Sequence, residues 1–421
     1  MVKLLTMIKI YTLLTFFSFI IILNVNSQIS DSAVMTPGYA LDVFYSMENG
    51  NIQSLSNSDW TVSFSTGSQT ASVYINEGKG VELYNTSFDN ADFSSFGVSD
   101  TAGLSSWTKL HNGYQNWSTS AFESGSTGHP NYGWGDYNSV THDLVGNKVF
   151  LIKTLNNTYY KTSVLSKTSG SWHYRYATLD NSFDTTIVYQ ASDLYDRNFA
   201  YLNMDNHTIL NREPVKTDWD LLFTRYYDTN INHTTTGILL NEDVKVYQVD
   251  GVSNTSASHS GGTFSENTNT IGSDWKIFDN SSSTFSIVSD RTYFVENQNG
   301  DIYKLYFTRF DGTSTGKIIF KTQFISSGAN AINENNAISL IKVFPNPTKS
   351  KLNIHLTTKN NTSITTKIFN VIGKEVFSEI THSTIGSNLK EIDVSNLTNG
   401  VYFLNINTTN YNKTIKFTIS K

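Results

Sequence analysis

The sequence predicts an all-β protein, built as two tandem antiparallel β units followed by a small C-terminal β-sandwich. Aromatic residues make up 13% of the 421 residues and charged residues only 16%, a composition that suits strands more than helices. Strand-like runs recur along the chain, as at 148–152 and 302–307, and Asn, Gly, Ser and Asp turns separate them. Stretches with the 3.6-residue period of an amphipathic helix are scarce.

Size, cysteine content and charge limit the classes of function. At ~150 residues per domain, the chain has room for about three domains. It contains no cysteine, which excludes disulfides, thiolate metal sites and cysteine nucleophiles. Residues 28–340 carry a net charge of −14, because the whole chain carries −6 and the terminal segments 1–27 and 341–421 are basic. A body this acidic repels phosphate backbones, so we expect no nucleic-acid partner.

The N-terminus is typical of a secretory signal peptide covering residues 1–27. Lys3 and Lys9 precede or flank a mostly apolar run over 13–23, and Ser27 supplies a small residue at the expected cleavage point. The alternative is a retained membrane anchor, but the run is short for a span of ~20 residues. No later segment is as apolar over such a length, so we expect an exported chain with no transmembrane segment after signal cleavage.

Three sequence blocks occur twice in the same order, which predicts an internal duplication. Residues 59–64 read Asp-Trp-Thr-Val-Ser-Phe, and residues 218–223 read Asp-Trp-Asp-Leu-Leu-Phe. The other matching blocks are 73–84 with 239–247 and 150–161 with 294–304. We therefore predict one β unit over 28–190, a second over 198–325, and a small polar linker over 326–340.

The tryptophans of the Asp-Trp blocks have two interpretations. Side chains alternate along a strand, so Trp60 and Phe64 share one face, as do Trp219 and Phe223 in the second copy. A buried Trp and Phe anchor a sheet core strongly. We interpret these residues as structural, and stacking on a ligand is the alternative.

The segment 341–421 reads as a separate unit of short strands and turns, the pattern of a small β-sandwich. It opens with Pro-Asn-Pro, continues with an Asn-x-x-Gly-Lys hairpin and a Leu-x-x-Gly-x-Tyr strand, and ends in a strand that bears lysines. The motif residues are Pro345, Asn346, Pro347, Gly373, Lys374, Gly400, Tyr402, Lys413 and Lys416.

On these motifs the C-terminal segment closely resembles the type A C-terminal sorting domain of the bacterial type IX secretion system. The resemblance implies that the domain binds the type IX secretion machinery. It also implies that the chain crosses the outer membrane and is released or anchored at the cell surface. The alternative is an ordinary adhesion-type sandwich.

The two-copy region resembles, in patches, the HmuY family of secreted haem-binding proteins. The Asp-Trp-x-x-x-Phe strand, the Asn-Glu strand and the later Tyr-Lys hairpin carry this resemblance. It implies an all-β fold and capture of haem for iron acquisition. In that family the iron is usually held by two histidines, sometimes by methionine, on loops outside the matched strands. No ligand position is therefore carried over.

Candidate haem ligands have to come from the residues themselves. Haem needs an apolar slot and one or two neutral imidazoles, or a thioether, at the iron. The loop from His129 to His142 sets Trp134 and Tyr137 among glycines between two histidines, so its aromatic faces suit a macrocycle or a sugar ring. The alternative is an aromatic loop packed on the sheet. Further candidates are His111, His173, Met204, His207 and His233.

No catalytic motif has the sequence context that its chemistry requires. Gly312-Thr-Ser-Thr-Gly316 matches the nucleophile pattern Gly-x-Ser-x-Gly, which needs a strand-to-helix elbow, but it lies between two strand-like runs. We therefore expect a hairpin turn there and no enzyme. The sequence predicts a secreted or cell-surface binding protein for haem, or alternatively a surface adhesin that binds glycans by aromatic stacking.

Overall fold

A computed structural model describes residues 28–67, 70–328, 338–358, 361–408 and 411–421. The predicted signal peptide and most of the predicted linker lie outside the described residues. Within the described ranges the chain forms strands and short 3₁₀ turns and no α-helix. The all-β prediction is therefore confirmed.

Fifteen strands precede the second Asp-Trp block. They are β1 (Ile29–Val34), β2 (Leu41–Ser46), β3 (Gly50–Ser56), β4 (Val62–Ser65), β5 (Val73–Ile75), β6 (Glu82–Asp89), β7 (Lys109–Leu110), β8 (Gly135–Tyr137), β9 (Leu144–Gly146), β10 (Lys148–Lys153), β11 (Tyr159–Thr168), β12 (Ser171–Thr178), β13 (Asp184–Gln190), β14 (Phe199–Asn203) and β15 (Thr208–Leu210).

Fifteen described strands follow. They are β16 (Leu221–Asp228), β17 (His233–Leu240), β18 (Lys245–Val249), β19 (Lys276–Asp279), β20 (Thr284–Ile287), β21 (Thr292–Glu296), β22 (Ile302–Phe310), β23 (Lys317–Ser326), β24 (Ile338–Phe344), β25 (Lys351–Thr358), β26 (Thr362–Asn370), β27 (Glu375–Ser383), β28 (Gly386–Asp393), β29 (Gly400–Thr408) and β30 (Tyr411–Ile419). The 3₁₀ turns are Glu77–Lys79, Asn90–Asp92, Val98–Thr101, Leu104–Ser106, Ala121–Glu123, Ala191–Leu194 and Gly312–Ser314.

Strands β4–β15 form a first body, here called unit I. One sheet has the order β15-β14-β4-β5, and the other has the order β13-β12-β11-β10-β6-β7 with β8 and β9 attached. Their facing side chains form one core that includes Val62, Phe64 and Trp172. Val62 and Phe64 of the first Asp-Trp block lie in this core, whereas Trp60 packs in a separate cluster with Tyr201. The expectation that Trp60 and Phe64 share one face is therefore wrong.

Strands β1–β3 and β16–β23 form a second body, unit II. Its sheets have the orders β17-β16-β2-β3 and β1-β23-β22-β21-β18, and β19 pairs with β20 beside them. Leu221 and Phe223 of the second Asp-Trp block lie in its core at 0% exposure. The two Asp-Trp strands thus hold equivalent places, each central in a four-stranded sheet.

Strands β1–β3, at the start of the described residues, complete the two sheets of unit II. Strand β1 runs antiparallel to β23, with Ile29 opposite Thr322 and Val34 opposite Lys317. Strand β2 pairs with β16, which places Val43 opposite Phe223. The hairpin β14–β15 occupies the matching place in unit I, where β14 pairs with β4. The segment 28–57 therefore packs with the second sequence copy, and unit I is inserted between β3 and β16.

The two units meet through a layer of aromatic side chains. Tyr114 of unit I packs against Tyr226 of unit II with ring centroids 4.9 Å apart. Beside this contact, Trp60 packs edge-on against Tyr201 within unit I, and Trp219 packs edge-on against Phe44 within unit II. Trp117 of unit I donates its indole N–H to the carbonyl oxygen of Leu240 in unit II, 2.9 Å away. The Asp-Trp tryptophans lie outside the two sandwich cores and line the small cavity between the units, which agrees with a structural role.

Close backbone contact and ring stacking extend this interface. His111 stacks on Tyr227 with ring centroids 3.9 Å apart, and its Nδ1 lies 3.1 Å from a Glu77 carboxylate oxygen. A Cβ added to Gly78 would lie 2.0 Å from the carbonyl oxygen of Arg225. Only glycine at position 78 lets the first 3₁₀ turn approach β16 this closely.

The C-terminal segment is a small two-sheet β-sandwich, as predicted. Its sheets have the orders β24-β25-β28 and β27-β26-β29-β30, and a separate apolar core lies between them. Tyr402 is buried, donates its hydroxyl to the Thr398 carbonyl and stacks on Phe417. Asn346 accepts a hydrogen bond from the Thr418 backbone N–H at 2.9 Å, which ties the Pro-Asn-Pro opening to β30.

Candidate functional site

The loop predicted as a ligand site is divided between core and surface. Trp134 was expected to present a face to a ligand, but it is fully buried and packs against Trp172 at 5.7 Å. Its indole N–H donates to the carbonyl oxygen of Ala71, 2.9 Å away. Trp134 directly precedes β8, which is only three residues long. Contacts with residues distant in sequence, and not a local strand pattern, therefore turn its ring inward.

The other three predicted residues come together at the exposed rim of unit I. His129 and His142 are exposed, and both rings contact Tyr137, with centroid distances of 4.8 Å and 6.1 Å. The Tyr137 hydroxyl lies 2.6 Å from Nδ1 of His142. The structure therefore brings His129, Tyr137 and His142 together as predicted neighbours, with the tyrosine ring against both imidazoles.

This arrangement lacks the contribution of Trp134 to an apolar slot for haem. An apolar slot is needed beside the iron, but the aromatic side chain of the loop that would line it, Trp134, is buried in the core. Tyr137 takes up Nδ1 of His142 and packs on the His129 ring. In the described part of the chain, no group of three or more His, Asp or Glu side chains is placed to hold a metal ion.

The remaining histidine and methionine candidates are engaged in local packing or exposed. His207 binds the Tyr176 hydroxyl through Nδ1 at 2.6 Å and stacks on Phe183. Met204 is fully buried, and its sulfur accepts from the Tyr174 hydroxyl at 3.8 Å. His233 is exposed at the start of β17, and His173 is half-buried in β12. These side chains do not converge on one slot.

An open groove in unit II has the composition of a ligand site. We call it the aromatic groove. It lies between the β19–β20 hairpin and the turn from β22 to β23, and its volume is about 610 Å³, within the range of small-molecule sites. Phe278, Phe285 and Phe310 form one wall, with Phe285 packed 4.8 Å from each of the other two rings. Phe278 is 47% exposed, so its ring is available to a ligand.

The rest of the lining of the aromatic groove is polar. Arg309 donates to Asp311 through Nε at 2.6 Å and Nη2 at 3.1 Å, a bidentate pair. This guanidinium keeps the pKa of the Asp311 carboxyl below its usual range. Hydroxyl groups of Ser283, Thr284, Thr313 and Ser314 complete the lining. The groove therefore offers aromatic faces, one planar ion pair and several donor–acceptor hydroxyls.

The Gly-x-Ser-x-Gly segment forms the floor of this groove as a strand–turn–strand. Gly312–Ser314 is a single 3₁₀ turn between β22 and β23. Ser314 donates its hydroxyl to the carbonyl oxygen of Asp311 at 2.9 Å. The expected hairpin turn is thus present, and the serine is not on a strand-to-helix elbow.

A second open groove lies on unit I. Its volume is about 510 Å³, and Phe88, Trp107 and Asp100 line it together with Asn, Ser and Thr side chains. Trp107 and Phe88 are half-buried. Each unit therefore carries one shallow groove with aromatic, carboxylate and hydroxyl groups.

The cavity between the units is too small for an organic ligand. Its volume is about 60 Å³, enough for about two water molecules. The buried indole N–H groups of Trp60 and Trp219 line it and have no hydrogen-bond partner among the described residues. Nearby, burial raises the pKa of Glu213 to about 7. This cavity suits bound water and a structural role.

Sequence reasoning did not find the aromatic groove. Its rings come from three separate strands, β19, β20 and β22, which only the fold brings together. One local signal was available, because the apolar pair Ile277 and Phe278 stands directly before an Asp-Asn-Ser-Ser-Ser turn and is 58% and 47% exposed. Large apolar side chains at a hairpin end need either a cover or a function.

Residues 342–420 match the family model of the secretion system C-terminal sorting domain. The sandwich of β24–β30 is therefore a type IX sorting domain, and it implies export of the chain to the cell surface or the extracellular space. The presence of this domain suggests that the chain interacts with the type IX secretion machinery. No helix among the described residues is long and apolar enough to cross a membrane.

The other comparisons add little to this assignment. No curated protein matches the chain significantly. The crystal structure of dimeric latent PorU from Porphyromonas gingivalis aligns over 66% of this chain and 31% of its own length, with 9% identity and a TM-score of 0.18. A TM-score this low does not establish a common fold. The resemblance of the two units to haem-binding proteins stays a prediction.

Proposed function

We propose that the chain is a non-enzymatic binding protein, displayed on or released from the bacterial surface, that binds glycans through the aromatic groove. One observation carries the proposal: the exposed ring of Phe278, the half-buried ring of Phe285 and a bidentate arginine–carboxylate pair line one open groove of saccharide size. The export of the chain supports it, because glycans are abundant ligands outside a cell.

A sugar ring has chemistry that matches both the aromatic and the polar side chains that line the groove. Its C–H face packs on an aromatic ring, as Phe278 and Phe285 offer here. Its neighbouring hydroxyls donate to a carboxylate and accept from a guanidinium, the two groups that Arg309 and Asp311 present. Arg309 is 63% exposed and Asp311 17% exposed, so a ligand in the groove meets mainly the guanidinium of this pair.

The proposal is tested by screening the secreted chain on a glycan array and measuring the affinity for the best hit. Phe278→Ala and Phe285→Ala should each weaken binding about tenfold, the typical loss of one stacked aromatic contact. Ile277→Ala is the matched control, since Ile277 is exposed on the same strand but does not line the groove. An empty array, or equal affinities for wild type and Phe278→Ala, would contradict the proposal.

Haem capture is the second hypothesis that the sequence raised. Its support is the pairing of two exposed imidazoles, His129 and His142, around Tyr137. Titration of the secreted chain with ferric haem would reveal it as a Soret shift that His129→Ala and His142→Ala weaken. The glycan proposal expects no such shift at micromolar haem.

A further inference from the structure

The sorting domain exposes two β-branched side chains at the tip of one hairpin. Val371 and Ile372, in the turn between β26 and β27, are 68% and 82% exposed. Turn positions usually hold Gly, Asn, Asp, Ser or Pro because those residues suit turn geometry and solvent. Two aliphatic side chains at such a tip lose burial and gain nothing from local conformation, so packing within this domain does not explain them.

The turn that presents these side chains is held firmly. Asn370 accepts hydrogen bonds through Oδ1 from the backbone N–H groups of Ile372 at 3.2 Å and Lys374 at 2.9 Å. Two backbone hydrogen bonds close the turn, from Asn370 to Lys374 and from Gly373 to Asn370. Gly373 has φ +78°, the left-handed conformation that glycine adopts readily. The Asn-x-x-Gly-Lys motif therefore builds a rigid support for its two variable residues.

We infer that Val371 and Ile372 are the contact through which the sorting domain docks into an apolar pocket of the type IX export machinery. The occupant follows from the family match, because residues 342–420 are the part of the chain that this machinery handles. Lys374 is exposed beside the pair, and the segment 341–421 is basic overall. The receiving pocket is therefore apolar inside and acidic at its rim.

A protein pocket suits this tip better than a lipid surface does. Stable membrane attachment needs a larger buried apolar area, or a second anchoring signal, than two aliphatic side chains provide. A pocket that surrounds both side chains removes all of their surface from water and fixes the orientation of the rigid turn.

The test is the export of the full chain from its own bacterium, measured as the ratio of extracellular to periplasmic protein. Val371→Ser with Ile372→Ser should lower this ratio about tenfold, as loss of a binding hot spot does. The matched control is Ile380→Ser with Leu389→Ser, which removes two side chains of the same domain that are 67% and 68% exposed. The control should export normally, and both variants should melt like wild type.

Three results would overturn the inference. The first is normal export of the Val371→Ser, Ile372→Ser chain, and the second is an equal export defect in the control. The third is sedimentation of the wild-type chain with vesicles of phosphatidylethanolamine and phosphatidylglycerol that the tip variant loses, since this would make the tip a lipid contact.

Discussion

At the scale of single residues, Glu213 shows how burial at the unit interface sets a chemical property. Its carboxylate accepts from the backbone N–H groups of Asn198 and Phe199 and from the Tyr201 hydroxyl, at 3.0 to 3.3 Å. Burial disfavours the charged form, so the pKa of Glu213 rises to about 7 despite these bonds. The protonation of Glu213, which lines the cavity between the units, therefore makes the stability of this region depend on pH.

We predict that Glu213 makes the free energy of unfolding fall as pH rises from about 4.5 to about 7. In this window the folded chain keeps a proton that the unfolded chain has lost, so its stabilisation is complete below pH 4.5 and is lost through pH 7. Glu213→Gln, which stays neutral, should remove about 3 kcal/mol of this dependence. Urea unfolding of both proteins across pH 4–8 measures it, and parallel curves would contradict the assignment.

The sequence-based predictions for three tryptophans had different outcomes. Trp60 and Trp219 are interpreted from the sequence as structural, and both pack against aromatic neighbours, Tyr201 and Phe44. The expected face is wrong, because Phe64 and Phe223 lie in the sandwich cores and the tryptophans do not. Trp134 was expected to face a ligand because a glycine-rich segment reads as an exposed loop. Its burial depends on contact with Ala71 and Trp172, residues far away in the sequence. A local sequence pattern does not indicate a contact between residues this far apart in the chain.

At the scale of elements, the sequence did not reveal that strands β1 and β2 complete the sheets of unit II. The repeat was visible in the Asp-Trp blocks, but pairing partners of strands are set by the fold and not by local propensity. A weaker signal existed in the hairpin turns, since 47–49 read Met-Glu-Asn and 204–206 read Met-Asp-Asn. Both methionines are buried, which marks β2–β3 and β14–β15 as equivalent hairpins.

We predict that a chain lacking residues 28–57 folds unit I and fails to fold unit II. The deletion removes three strands, of which β1 pairs with β23 and β2 pairs with β16. It also takes Ala33, Val43 and Tyr45 out of the second core. Hydrogen exchange should then be fast across β16–β23 and slow across β4–β15. A synthetic peptide of residues 28–57 should restore protection to β16–β23. Full protection without the peptide would contradict the closure.

At the scale of the whole molecule, charge and fold divide the chain into two parts, units I and II on one side and the C-terminal sorting domain on the other. The two units share an aromatic interface and carry a net charge of −14 over residues 28–340, while the sorting sandwich is basic and has its own core. The separate core was predictable because its motifs lie within one continuous segment, 341–421. The groove on unit II was not, because strands distant in sequence build it.

We propose that the C-terminal sorting domain carries a folded binding protein out of the cell. Fractionation of cells that express the full chain, or a chain ending at residue 340, tests this proposal. We expect the full chain at the cell surface or in the medium and the shortened chain in the periplasm. Equal amounts of the shortened chain outside the cell would contradict it.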